Sequence, residues 1–165
     1  MKRPGLLNKL KGAKRLEIAE PSEEICTSYL EKANNCLLSA KILLQNNLYE
    51  NSISEAYYSM YNSLTALLFR TGIKCENHAG SILLLRKVFR RNDLSRAISK
   101  AKKERIDKQY YVDSKKDFIL TKEIAQEMVK TAEGFLIEMK LFINSMNSSD
   151  ISRFRESFIE LFKGL

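Results

Sequence analysis

The chain has 165 residues, 44% of them hydrophobic, with two prolines, six glycines and a formal net charge of +8. That length suits one domain around one core, and no apolar run nears the roughly 18 residues needed to cross a bilayer. Three cysteines without CxxC spacing and a single histidine argue against a disulfide framework or a structural zinc site, so free thiols in a cytoplasmic protein, with no metal and no cofactor, are expected.

Residues 1–20 place Lys2, Arg3, Lys9, Lys11, Lys14 and Arg15 ahead of the first acid. They read as a basic N-terminal extension, either a mobile arm or a short amphipathic helix, and no apolar signal-peptide core follows the charges. Pro21-Ser22-Glu23-Glu24 starts a helix: Ser22 can cap it, and the acids suit the positive end of its dipole. Ile25, Tyr29, Ala33, Cys36, Ala40 and Leu43 then recur on one face up to about Gln45. After the turn NNLYEN, a second helix runs from about Tyr49 to Arg70 on the stripe Ile53, Tyr57, Met60, Leu64, Leu67 and Leu68, and Gly72 can end it.

Asn77 is placed to cap a third helix over about 78–91, RND breaks the pattern, and a fourth spans about Asp93 to Tyr111. DSKKDFIL reads as a loop, Thr121 as the cap of a fifth helix, and Ser149 or Asp150 as the start of a last one carrying Ile151, Phe154, Phe158, Leu161 and Phe162. No segment alternates as a strand does. The fold class is therefore all-α: an up-and-down antiparallel bundle of about five helices over residues 21–146, followed by a short amphipathic C-terminal helix over 147–165.

Three features could carry chemistry. Arg86, Lys87, Arg90, Arg91, Arg96, Lys100, Lys102, Lys103, Arg105 and Lys108 face only Asp93, Glu104 and Asp107 within residues 86–108. Such a local excess suits RNA, DNA or a nucleotide, or else forms a solvated face; without a groove-reading motif it implies affinity but no sequence specificity. In KKERIDKQYYVD, residues 102–113, helical spacing puts Arg105 in line with Leu94, Ile98, Ala101 and Val112, so a cation lies on the apolar stripe. Tyr57, Tyr58 and Tyr61 sit together in EAYYSMYNSL, with Tyr57 on the stripe and core packing as the ordinary role of such residues. His78, at a helix start, is the one imidazole available for base work near neutral pH, or else a structural cap.

The stretch YLEKANNCLLSAKILLQNNLYENSISEAYYSMYNSLTALLFRTGIKCENHAGSI resembles the first half of a HEPN domain: an alanine-rich helix, a turn, A-Y-Y-x-M, an apolar helix and G…H-x-G. RIDKQYY and LTKEIAQEMVKTAEGFL resemble its second half, so the likeness covers about residues 22–146. It implies a small helical bundle that pairs as a homodimer, in a family of metal-independent ribonucleases, toxins of toxin–antitoxin pairs and partners of nucleotidyltransferases. The ribonuclease members carry an arginine and a histidine separated by four to six residues; from Arg105 the matching places hold Tyr110, Tyr111 and Val112. The Asp-Tyr pair of the other members is also altered, since Gln109 precedes Tyr110.

The resemblance places Arg105 at a cleft, where a guanidinium holds phosphate or a carboxylate; the alternative is a buried contact to Glu or a carbonyl. The leading expectation is a non-catalytic homodimeric module that binds RNA or a nucleotide and partners a nucleotidyltransferase. Arg105, Tyr110, Tyr58 and His78 would line its ligand site, and Arg96, Lys100, Lys102, Lys103 and Lys108 would meet phosphates. The alternatives are an endoribonuclease toxin, in which Tyr110 would be a poor base, and a structural interaction module docking through its phenylalanine-rich C-terminal helix.

Overall fold

Two short elements precede the bundle in the computed structural model, which describes the backbone of residues 5–110 and 115–165 and the side chains of residues 5–106 and 121–165. Helix α1 (Leu6–Gly12) buries Leu7 and Leu10, each worth about 1.5–3 kcal/mol. Strand β1 (Leu16–Ile18) pairs antiparallel with β2 (Ile73–Cys75), with Leu16 opposite Cys75 and Ile18 opposite Ile73. Of the two forms expected for the basic N-terminal segment, its described residues take the helix, and they pack onto the core. The two strands, unforeseen in the sequence, are three residues each, too short to display alternation.

The main helices are α2 (Glu23–Gln45), α3 (Tyr49–Arg70), α4 (His78–Lys87), α5 (Asn92–Tyr110), α6 (Lys115–Ser145) and α7 (Ser148–Lys163). The described residues thus form an all-α bundle with one small ribbon attached. Ser22 caps α2 by accepting from the Ile25 N–H at 3.1 Å. Asn77 caps α4 by accepting from the Gly80 N–H at 2.8 Å. Asn147 and Asp150 form a reciprocal capping box on α7. Asn47 and Arg90 take left-handed conformations, φ 61° and 59°, where the chain leaves α2 and α4, so α4 is shorter than the expected 78–91.

Helix α3 is the axis of the fold. Ser52, Ile53, Ala56, Tyr57, Ser59, Met60 and all of Asn62 to Leu68 are buried, as befits a helix enclosed on every side. Helix α2 packs against it most extensively, followed by α6 and then α5. Ile25, assigned to the α2 stripe, is instead 40% exposed while Cys26 next to it is buried. Thr121 does not cap a helix: α6 already begins at Lys115, so the expected DSKKDFIL loop is helical from there, and Thr121 is buried within α6. No helix among the described residues is long and apolar enough to cross a membrane.

The C-terminal phenylalanines, expected as a docking face, pack against this chain itself, Phe158 wholly and Phe154 and Phe162 in part. Phe158 is fully buried, Phe154 packs on Phe89 and Phe142, and Phe162 lies under the Lys11 ammonium. From the same helix, Arg155 donates to the carbonyls of Ala19 and Gly72, tying α7 to both the N-terminal segment and the α3–β2 turn. Gly72 has φ +72°, and an added Cβ there would meet the Arg155 guanidinium and lie 2.6 Å from the Ala19 carbonyl oxygen. Gly72→Ala should therefore lower stability by about 1–3 kcal/mol from backbone strain alone, read as an earlier urea midpoint with an unchanged slope. A neutral result would show that this three-way junction tolerates a shifted turn.

Candidate functional site

Tyr57 lies at the middle of α3 with no solvent exposure, and its hydroxyl needs a partner. It finds one 2.6 Å away in Nδ1 of His78, the first residue of α4. Since Asn77 already caps that helix, His78 is free of the capping duty considered for it. The imidazole stacks on the Tyr61 ring at 3.7 Å between centroids and 11° between planes. Tyr57 and Tyr61, four residues apart on α3, therefore hold the ring by an edge and a face.

Arg105 reaches the same place from α5. Its Nη1 donates to the Tyr58 hydroxyl at 3.0 Å, and its guanidinium carbon lies 5.1 Å and 5.2 Å from the Tyr57 and Tyr58 ring centres. These are cation–π distances. Among the described residues Arg105 has no carboxylate or carbonyl partner, and its Nε is buried without a hydrogen bond. The stripe position has the expected consequence, for Leu94, Ile98 and Ala101 are buried and Arg105 is half-buried beside them. Among the described residues no Glu or carbonyl contacts it; the Tyr57 and Tyr58 rings lie beside the cation instead.

His78 and Arg105, 27 residues apart in the sequence, thus share Tyr57 and Tyr58 as neighbours. Burial, then the charges of Arg105 and Lys102, hold the His78 imidazole below its ordinary pKa, so it is neutral at pH 7. Burial also pushes the Tyr57 phenol well up, so it keeps its proton. That hydroxyl can donate to Nδ1 or accept from Nδ1–H; when it accepts, the Nε2 lone pair is left as a base.

The basic residues do not form one surface. Lys102 lies about 60° around α5 from Arg105, and its charge acts on His78, whereas Arg96, Lys100 and Lys103 project about 140–180° away. Lys100 lines a groove with Glu104 and Ile124 between α5 and α6 instead. Arg91 is held by Asp93 and Glu138 over the Phe142 ring. The side chains of Lys108 and Tyr110 lie outside the described residues, as does Val112 altogether. The sequence reading assigns Tyr57 to the core, where it is, and names Tyr61 beside it without placing it at the ligand site; the i, i+4 spacing of the two was the available signal. Among the described residues no three His, Cys, Asp or Glu side chains converge as a metal-binding group.

Because the folded-state pKa of His78 lies below its unfolded value near 6.5, the unfolded chain binds the extra proton. Stability is then fully present above pH 6.5 and declines as pH falls from there towards the folded pKa. Histidine carbon-bound proton shifts followed by NMR should titrate with a midpoint below 6.5, and Arg105→Gln should raise that midpoint only part of the way, since burial is the larger cause. A midpoint at or above 6.5 would refute the enclosed, cation-flanked environment.

The HEPN domain profile matches residues 27–141. A Methanocaldococcus jannaschii protein named "Putative toxin MJ0605" is 29% identical over 127 residues, 77% of this chain and 89% of that protein. "Putative toxin MJ0142" from the same organism is 29% identical over 125 residues, 75% of this chain and 80% of its own. A UPF0332 protein of Thermotoga maritima is 22% identical over 125 residues, 75% of this chain and 95% of its own length. With an enclosed α3 bearing the Tyr57-Tyr58 pair, the His78 turn and the match over most of its length, this chain belongs to the HEPN domain family.

Proposed function

We propose that this chain binds RNA through the cleft formed by Arg105, Tyr58, His78 and Lys102. The observation that carries the reading is the uncompensated guanidinium: among the described residues Arg105 has aromatic rings and a hydroxyl around it and no anion. A half-buried cation held this way keeps its charge and donors for an incoming phosphate. Arg105→Gln should weaken binding of a short single-stranded RNA roughly ten- to a hundredfold. It should lower stability by about 1 kcal/mol, the scale of its aromatic contacts, instead of the about 3–5 kcal/mol that follows stranding half of a buried ion pair. Lys102→Gln should reduce the slope of log affinity against log salt by about one. Unchanged RNA affinity with a large loss of stability would sink the reading.

The position of His78 favours a second reading, a metal-independent endoribonuclease, in keeping with relatives named as toxins. A neutral imidazole beside a guanidinium supplies a base to take the proton from a ribose 2′-hydroxyl and a cation to stabilise the charge as that oxygen attacks phosphorus and the 5′-oxygen leaves. The family histidine after Arg105 is absent from the sequence, and His78 would stand in for it from another helix. In the same assays His78→Gln should abolish cleavage that leaves cyclic phosphate ends while weakening RNA binding far less than Arg105→Gln does. Cleavage unaffected by this change would remove His78 from the chemistry.

We further propose assembly as a homodimer through the α2–α6 seam, with a nucleotidyltransferase as the partner protein that the family resemblance adds. Leu38, Ile42, Ile137 and Leu141 are 49–62% exposed there. Lys41 pairs with Glu133 and Lys140 with Asn34 across the same seam, so the four apolar side chains share one outward face. Sedimentation at micromolar concentration should give twice the 19.0 kDa chain mass, and Leu141→Glu should give the monomer. A wild-type monomer would refute the assembly.

A further inference from the structure

Beside the Arg105–His78 cleft, between α2 and α3 and against β2, lies a cavity of about 530 Å³ that shares Tyr58 and Tyr61 with it. The volume falls within the roughly 300–1,000 Å³ of small-ligand sites. Four aromatic rings line it: Tyr58, Tyr61, and the mutually stacked pair Tyr29 and Phe69, whose centroids are 5.6 Å apart. An unstacked nucleobase is held by such rings wherever single-stranded RNA is read.

The polar groups of the cavity differ in how they are engaged. At one end Lys74 is paired with Glu17 at 2.9 Å and with Glu76 at 3.2 Å. Glu55, in the cavity lining, makes no ion pair among the described residues, and its carboxylate accepts from the Cys36 thiol, whose pKa is pushed up to about 11 by burial and then by Glu55 itself. Asn62 donates its amide N–H to the Cys36 sulfur at 3.5 Å. Lys32, also lining the cavity, has no carboxylate partner among the described residues.

We infer that this cavity is a nucleobase subsite selective for guanine, so that RNA anchored on Arg105 is read at a guanosine. The inference rests on the RNA-binding reading above for its phosphate and on the cavity for its base. Tyr58 joins the two: its hydroxyl accepts from Arg105 while its ring forms cavity wall. Guanine follows from the acceptor-only chemistry of a carboxylate. Its Watson–Crick edge alone offers two adjacent donors, N1–H and the N2 amino group, with O6 beyond them for a cation such as Lys32. Adenine and cytosine set one donor beside a lone pair that a carboxylate repels, and uracil flanks its one donor with two carbonyls.

The test is calorimetric titration of the full chain with GMP, AMP, CMP and UMP, using wild type, Glu55→Gln and Arg105→Gln, each checked for native helicity. GMP should bind about tenfold or more tightly than the other three, the discrimination of one good bidentate base contact. Glu55→Gln should bring all four to within about twofold of each other. Arg105→Gln should weaken all four while preserving their order. Equal affinities in the wild type, no binding of any nucleotide, or a guanine preference unmoved by Glu55→Gln each overturns the subsite. A guanine preference lost in Glu55→Gln but with affinities untouched by Arg105→Gln would instead leave the subsite standing and overturn the phosphate role of Arg105.

Discussion

Pairing the phenol hydroxyl of Tyr57, buried in the middle of α3, is the contact that the cleft is built around. Tyr57 sits where α3 is covered by its neighbours, and leaving its hydroxyl unpaired would cost about 1–3 kcal/mol. His78 supplies the partner, which draws the start of α4 against α3 and turns the imidazole onto Tyr61. The phenol ring then offers its face to the Arg105 guanidinium. One core residue therefore positions a base and a cation from two other helices.

Electrostatics gives that arrangement its direction. Three other partly buried cations are tied down: Arg91 with Asp93 and Glu138, Lys74 with Glu17 and Glu76, Arg155 with Glu20 and backbone carbonyls. Arg105 is treated differently. Quadrupoles and a hydroxyl solvate it without cancelling its charge, and burial, then the same positive field, holds His78 neutral. A fixed cation beside an uncharged imidazole is the geometry on which both the proposed binding and the proposed cleavage rest.

The two chain ends matter because they brace the platform from which α4 projects. The ribbon of β1 and β2 leads directly into Asn77 and His78, and Leu10 of α1 packs so near Gly80 that a Cβ there would lie 2.5 Å from its side chain. From the other end, Arg155 grips Ala19 and Gly72. The first turn of α4 is thus set by contacts from residues far away in sequence, and so is the aim of the imidazole.

Much of this fold was legible in the sequence because helices are local. Apolar recurrence at three and four residues, Ser22 and Asn77 as caps, and Gly72 at a left-handed turn specify α2, α3 and α4 from neighbours alone. The inward aim of Arg105 was readable for the same reason, as a position on a helical stripe. The ribbon and the placement of Thr121 inside α6 were not, since three-residue strands carry too little pattern and continuation through DSKKDFIL carries no distinct local mark. The family resemblance grouped Arg105, Tyr58 and His78, but the contacts by which they meet were decided only by tertiary packing. Spacing within one segment assigns the histidine to a sequence neighbour of Arg105, where none exists, whereas space brings His78 to it across Tyr57. By itself the sequence determined which helices form and which faces they bury, because those depend on bonds and side chains a turn apart. Which charged and polar groups meet, and which remain unpaired, was decided by the packing of α3, α4 and α5, because electrostatic partners are chosen by distance in space and not along the chain.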